Sequence, residues 1–484
     1  MQHSRLRSSQ ICSGGSIDAS GKYATSTGAS GGSALGDSGI DIDYNVATGS
    51  LSAATNSAID SLSGKGWEVY INGVLVIPNI LDLAPAAAYS LRSFDADADP
   101  NVVNVRRSSD SATSDFKASE VSDGTLTDWV NTDVVLASSD FASTLSPFSL
   151  YGATLTTTEL NQSIAGVGGA LKITFGGDGA FLRRLGSQTL GIGNQFKVSV
   201  KVYLPSSNDY VDGISIGITG LDTTYPSTVL SRDTWHTIEF TGIAAKDSQT
   251  NGFRVFGNNS NSSVDDVIYI KDYDITQLTA DGHVTTWYDQ GGTNHANQST
   301  ASSQPKIVDG GTLVTEGGLA SINFPTEVSN LSLNHSDIYG QATLDSYYVT
   351  NATGDAYLYP SLLSTGNAYG MVAASTAGGG NNSTTISNNY GSPTFYANGT
   401  EITGTTRGDI YAATSGGRKL VGHQGADTSN AAWSTGSVNF GNFSFSVTAF
   451  GFTGKLQEMI FFNTDQSANR TGIENNINDH FDIY

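Results

Sequence analysis

At 484 residues the chain has room for about three domains of roughly 150 residues, and its 38% hydrophobic and 10% aromatic content excludes wholesale disorder. Only 14% of it is charged; Gly, Ser, Thr and Asn fill the gap, a mixture that favours hairpin turns over helices and predicts an all-β chain. The formal net charge of −22 argues against a nucleic-acid partner, whose phosphates attract basic surfaces.

Met1-Gln-His-Ser-Arg-Leu-Arg runs into Ser and Gly with no apolar segment, so no signal peptide is expected. Cys12 stands alone, which rules out an intrachain disulfide and leaves one thiol short of a metal site. Residues 1 to about 50 are Gly/Ser-rich, as in Gly28-Ala-Ser-Gly-Gly-Ser, and bury little. The expectation for 1–74 is an N-terminal arm or attachment region, ordered by neighbouring subunits. A short helix is expected from Leu51 to Leu62, with Ser52 as cap and Ala54, Ile59 and Leu62 as its apolar stripe. The alternating run from Trp67 turns at Asn72-Gly73, a strong hairpin dipeptide. The longest apolar stretch, Val74 to Ala88, is broken by Pro78, Asn79, Asp82 and Pro85, so membrane insertion is not expected. Asp95-Ala-Asp-Ala-Asp-Pro-Asn spaces its carboxylates like a calcium loop, yet Pro100 holds the Gly position and Arg106 the bidentate Glu position. A solvated acidic loop is the better reading.

Over 134–280 the chain changes to long alternating segments. Phe196, Val198, Val200 and Val202 fall on one face of their strand, with polar residues between them. Gly213-Ile-Ser-Ile-Gly-Ile, Trp235-His-Thr-Ile-Glu-Phe and Val267-Ile-Tyr-Ile-Lys repeat the period of two, which indicates a sandwich. The pattern of this stretch resembles jelly-roll carbohydrate-binding modules.

Two flanking blocks carry a second resemblance. The first holds Ala86-Ala-Ala-Tyr-Ser-Leu-Arg-Ser-Phe and Val103-Asn-Val-Arg-Arg-Ser-Ser-Asp; the second runs from Val284-Thr-Thr-Trp-Tyr-Asp-Gln-Gly-Gly to Gln304-Pro-Lys-Ile-Val-Asp. Both are similar to the concanavalin-like (LamG-like) sandwich of the arabinofuranosidase B catalytic-domain family, which also occurs widely in phage structural proteins. Gly454-Lys-Leu-Gln-Glu-Met-Ile-Phe-Phe-Asn looks like the last strand of the phage branch, with a closing helix behind it. The resemblance implies a concanavalin-like sandwich split over 75–133 and 281–484, with a jelly roll inserted at 134–280. It further implies a structural virion protein of a tailed phage, a tail or head fibre or a capsid decoration protein. Its partners would be other virion proteins through the N-terminal region, further copies of itself, a trimer among them, and host surface polysaccharide.

Alternation in Thr286-Trp-Tyr-Asp-Gln sends Trp287 and Asp289 to one face and Tyr288 to the other, ahead of a tight loop after Gln290. An aromatic core anchor with Asp289 bonding turn amides is favoured over a ligand-contacting role. Arg106, Arg107 and Asp110 read as a strand-end charge cluster. Ala468, Ile473, Ile477 and Phe481 read as one apolar helix stripe.

Glycoside hydrolysis needs two carboxylates flanking the scissile bond. Glu316, Glu327, Asp337, Asp345, Asp355, Glu401, Asp409, Asp427 and Glu458 are on offer, and none lies in a segment that matches the family's acid or nucleophile motif. A non-enzymatic chain is therefore the expectation, with a glycan-depolymerising tailspike as the alternative. The seven His form no zinc pair, no nucleotide loop or nucleophile elbow appears, and neither metal nor cofactor is expected. For glycan binding, Trp433 in its polar loop comes first, followed by Tyr390 and Tyr396 around a Gly-Ser-Pro turn.

Overall fold

The computed structural model describes most of the chain from Asn79 to Tyr484. The stretches 152–156, 177–180, 219–226, 258–263, 354–390, 430–437 and 441–451, with several shorter gaps, lie outside the described residues, and ahead of Asn79 only short strands are described. The helix expected over 51–62 therefore falls outside. Val69–Ile71 and Val74–Leu75 pair antiparallel with Ile71 opposite Val74, leaving the Asn72-Gly73 dipeptide between them.

The described residues are mostly strands in antiparallel sheets, with few and short helices, and the chain is all-β. In chain order the strands used below begin with β1 (Ala87–Ser90), β2 (Asn101–Arg107) and β3 (Thr113–Lys117). Then come β4 (Val134–Ser139), β5 (Phe148–Tyr151), β6 (Thr157–Ile164), β7 (Val167–Gly176), β8 (Phe181–Arg184) and β9 (Gln195–Tyr203). These are followed by β10 (Gly213–Ile218), β11 (Ser227–Val229), β12 (Trp235–Ile243), β13 (Phe253–Gly257) and β14 (Val264–Gln277). The rest are β15 (Gly282–Trp287), β16 (Lys306–Asp309), β17 (Ile322–Phe324), β18 (Leu344–Ala352), β19 (Gly391–Ala397), β20 (Lys419–Ala426) and β21 (Gly454–Phe462), and α1 (Arg470–Phe481) closes the chain.

Strands β4 to β14 form two facing sheets. One has the order β6-β7-β14-β9-β12, with β4 added beside β14; the other has the order β5-β8-β13-β10-β11. Apart from the hairpins β6-β7 and β10-β11, the chain crosses between the two sheets as it advances, the habit of a jelly roll. Phe196, Val198, Val200 and Val202 of β9 are fully buried, while Lys201 between them is exposed. They share one core with Ile214 and Ile216 of β10 and with Phe148 of β5, whose ring stacks on Tyr273 at 4.5 Å. Each such side chain is worth about 1.5–3 kcal/mol of burial.

The remaining strands belong to one large sheet system drawn from both ends of the chain. β1 pairs with β21, and β2 pairs with β15, so residues before and after the jelly roll share one sheet system. β18 lies between β20 and β21 and is buried on both faces. Tyr348 enters the core that holds Trp287, whereas Tyr347 and Val349 enter the one that holds Ile473, Ile477 and Phe481 of α1. Ala468 departs from the expected stripe: it is exposed and precedes the helix. Its place is set by a turn in which Asp465 accepts the Ser467 amide and the Asn469 amide donates to the Gln466 carbonyl.

Candidate functional site

On the five-stranded sheet of the jelly roll, strand register assembles two rows from four strands. Tyr151, Phe181, Phe256 and Ser215 stand opposite one another in one row; Ser149, Arg183, Arg254 and Gly217 form another, two residues along. Between them runs Leu150, Leu182, Val255 and Ile216. Ile214 and Ile216 are buried in the core, so the pleat assigns the Leu150 row to the core side. The aromatic and arginine rows occupy positions on the opposite face of the sheet. Sugars offer C–H faces and hydroxyls together, and aromatic residues beside polar ones are the pairing that receives both.

The outer face of the six-stranded sheet differs. A shallow open groove of about 290 Å³ is lined by Ser138, Ser199, Lys201, Thr237, Asp272 and Asp274 among others. Asp272 has φ 47 at a bulge in β14, which puts an extra residue opposite β9. The lysines of this face are matched across strands: Lys172 to Glu159 at 2.7 Å, Lys197 to Glu239 at 2.8 Å and Lys201 to Asp272 at 2.8 Å. Hydrogen bonds donated to these carboxylates hold the Lys172 and Lys201 ammonium groups above their ordinary range. At the sheet's end Tyr203 packs on Trp235 (5.7 Å between centroids) and on Tyr269 (6.0 Å), and Trp235 donates to the Ile164 carbonyl. Burial, followed by the hydrogen bond to Asp233, pushes the Tyr203 hydroxyl up. Tyr203 is buried, so this cluster is packing more than an open platform.

Of the glycan candidates read from the sequence, Trp433 and Tyr390 lie outside the described residues. Tyr396 sits half-buried in β19 with the Arg470 guanidinium 4.3 Å from its ring centroid, so one ring face is covered.

The Trp287 group is placed between the two ends of its sandwich. Trp287 is fully buried, 5.7 Å from the Tyr89 ring. Asp289 accepts the amides of Ala88 (2.8 Å), Gly291 (2.9 Å) and Asn294 (3.1 Å). Gln290 accepts from Phe94 and donates to the carbonyls of Ser90 and Arg92, while Tyr288, on the other face, donates to Asp115. Arg107 grips Asp110 through two bonds, 3.0 and 2.7 Å, which holds that carboxyl below its usual range, and lies over Trp129. Arg106 stands apart from that pair and donates to Gln304 at 2.7 Å.

Several of the acids weighed for hydrolysis are engaged in structural bonds, while Glu401 is exposed on its strand. Glu458 is gripped by Arg92; Asp345 accepts the amides of Gly425 and Gln466; Glu316 meets Lys455 at 3.1 Å; Asp409 caps its own helix. Glu327, Asp337 and Asp355 lie outside the described residues. Among the described residues no three His, Cys, Asp or Glu side chains gather as a metal would require.

Reading the sequence alone missed the Tyr151–Phe181–Phe256 row, because its members are far apart in the chain and meet only through register. A signal was present: Phe181-Leu-Arg183 and Arg254-Val-Phe256 are mirror images, the order that antiparallel pairing turns into matched rows.

No family model matches the chain, and no curated protein matches it. Similarity is found to solved structures. One is the second N-terminal cellulose-binding domain of a Cellulomonas fimi beta-1,4-glucanase, at 19% identity, covering 31% of this chain and 97% of that one, TM-score 0.22. Another is the C-terminal family 22 carbohydrate-binding module of a Clostridium thermocellum xylanase, at 10% identity, covering 30% and 93%, TM-score 0.24. A third joins such a module to the hydrolase module of the same xylanase, at 14% identity, TM-score 0.23, and covers 30% of this chain but 29% of that chain. At these TM-scores the fold rests on the strand pairing above and takes nothing from the likenesses.

Proposed function

We propose that this chain is a carbohydrate-binding structural protein whose jelly roll, inserted at 134–280 into the concanavalin-like sandwich, receives a polysaccharide on its five-stranded face. The observation that carries the reading is the row Tyr151, Phe181, Phe256 and Ser215 crossing four strands on the side away from the core. A row of this kind spans successive sugar rings, each stacking on an aromatic and bonding to a neighbouring polar residue. The opposite face is a weaker choice, because its lysines are already engaged, Lys172, Lys197 and Lys201 by carboxylates and Lys271 by the Gly168 carbonyl.

The virion setting is supported by the likeness of the Trp287 and Arg107 blocks to phage structural proteins. In that setting residues 1–74 attach to neighbouring virion proteins, copies of the chain assemble together, and the sandwiches meet the host's surface polysaccharide. The non-enzymatic reading is supported by the structural bonds that occupy Glu458, Asp345, Glu316 and Asp409.

A glycan array read beside a depolymerisation assay on the full chain tests this. The expected result is binding without released oligosaccharides, lost in Phe181→Ala/Phe256→Ala and kept in Trp433→Ala. Loss in Trp433→Ala alone would move the site to the other sandwich. Release of oligosaccharides would establish the depolymerising alternative.

A further inference from the structure

We infer that the chain carries a second carbohydrate-contact face, on the outer side of the large sheet beside Tyr288, and that it takes a neutral, hydroxyl-rich sugar. The inference goes beyond the reading above: its residues lie outside the jelly roll, and it stands or falls apart from the five-stranded face. Strand register sets Asp115 of β3, Asn104 of β2, Thr286 of β15 and Asn297 of the short strand Ala296–Asn297 side by side in one row. Their chain neighbours Val103, Val105, Phe116, Trp287 and Ala296 are buried in the core, so the pleat turns the row to solvent. Tyr288 rises on the same side, with its hydroxyl on Asp115 and its ring edge-on to His295 at 4.9 Å.

Asp and Asn are poor strand formers, yet they hold three of the four positions in this row. Core packing does not call for them, since none of the three enters the core. Their side chains are instead held in set orientations. Asp115 Oδ1 accepts from Asn104 Nδ2 and from the Tyr288 hydroxyl, both at 2.6 Å, and the Thr285 hydroxyl donates to Asn104 Oδ1. Further along, the Thr286 hydroxyl donates to Asn297 Oδ1 at 2.9 Å, and Asn297 Nδ2 donates to the His295 carbonyl at 2.7 Å. These bonds engage one side of each group. Among the described residues they leave Asp115 Oδ2 and the Thr286 oxygen as acceptors, and one N–H each of Asn104 and Asn297 as donors. Across the row the order is acceptor, donor, acceptor, donor, at the strand spacing of about 5 Å. A sugar hydroxyl donates and accepts at once, so a run of hydroxyls can meet every position, while the half-buried Tyr288 ring takes a C–H face beside them. The row holds one acid and no base, and the net charge of −22 repels polyanions, so the sugar it takes is neutral.

A flat row with a single ring holds its sugar too weakly for an array, so saturation-transfer NMR on the full chain tests this. The probes are cellohexaose, xylohexaose, maltohexaose and mannohexaose at millimolar concentration, with trigalacturonate as the acidic comparison. Phe181→Ala/Phe256→Ala silences the five-stranded face in the same chain. The expected result is transfer to at least one neutral hexaose that survives this silencing and exceeds transfer to trigalacturonate. It then falls at least threefold when Tyr288→Ala or Asn297→Ala is added. Transfer that vanishes with Phe181→Ala/Phe256→Ala belongs to the jelly roll and overturns the inference while the carbohydrate reading stands. Transfer that is indifferent to both Tyr288→Ala and Asn297→Ala overturns it as well, and stronger transfer to trigalacturonate overturns the neutral assignment. No transfer to any probe removes the second face, whatever the array gives for the first. Should Tyr288→Ala fail to fold, Asn297→Ala, at an exposed residue, decides alone.

Discussion

Arg92 closes on Glu458 with two bonds, at 2.8 and 3.1 Å, and joins the start of one sandwich to its last strand across 366 residues of chain. The Glu458 side chain is 1% exposed, and the same guanidinium donates to Asn476 of α1 and lies 5.7 Å from the Phe481 ring. A carboxylate in an apolar strand thus serves as the anchor for both the first strand and the closing helix.

Removing one partner leaves an uncompensated buried charge. Arg92→Leu is expected to destabilise the chain by about 3–5 kcal/mol, and Glu458→Gln by less, since it loses the charge but keeps an acceptor. Urea unfolding followed by circular dichroism checks both; a loss under 1 kcal/mol for Arg92→Leu would show the pair to be incidental.

Asp289 gathers three backbone amides, one of them from β1. Asp289→Ala orphans them and is expected to cost about 2–4 kcal/mol, with Asp289→Asn in between. Hydrogen exchange should rise first at Ala88 and Asn294, the amides set free, and a uniform rise instead would count against a local latch.

Acid should weaken this protein well before its carboxylates titrate. Burial lowers His423 to about 3, and burial together with nearby cations lowers His283 and His480 to about 4. These imidazoles are neutral in the folded chain and take up protons near pH 6.5 when unfolded. Stability is therefore fully present above about 6.5 and falls as pH drops toward 4, by up to about 1.4 kcal/mol per pH unit for each group. Asp345 and Glu474, raised by burial, act in the opposite sense and offset part of the loss. Urea midpoints between pH 7 and pH 4 should slope downward, and His423→Gln should flatten the slope.

Deleting 134–277 and joining its flanks through a short Gly-Ser linker should leave the remaining sandwich folded, with Trp287 still buried by fluorescence. The contacts forfeited at the seam include the Gln195 amide to the Thr279 hydroxyl, the Leu278 and Thr279 amides to the Gln195 carbonyl, the Gln277 side chain to the Thr279 carbonyl, and the backbone approach of Gly193 to Gly310. An aggregated product would refute the division into two independent modules.

Much of this could be read before any coordinates. The period of two from Phe196 to Val202 places four side chains in the core, and all four are fully buried. Ile473, Ile477 and Phe481 likewise mark the buried side of α1. Such patterns are local, set by the pleat or the helical turn. What escaped reading was long-range: the partner of Glu458 is 366 residues away, and Phe181 meets Phe256 only because β8 and β13 adopt one register out of several. Tyr396 shows the converse, since its polar turn suggested an open ring while Arg470, from the distant helix, covers it.

Val134 and Gln277, the first and last residues of the jelly-roll strands, are direct register partners. Entry and exit therefore stand about 5 Å apart, the spacing of neighbouring strands. For the rest of the chain the segment is a side branch joined at neighbouring strand ends and by a few contacts at its base, away from the bonds of Arg92, Asp289 and Trp287. A chain built this way can accept a segment of different length between Val134 and Gln277 with its two ends still meeting as neighbouring strands.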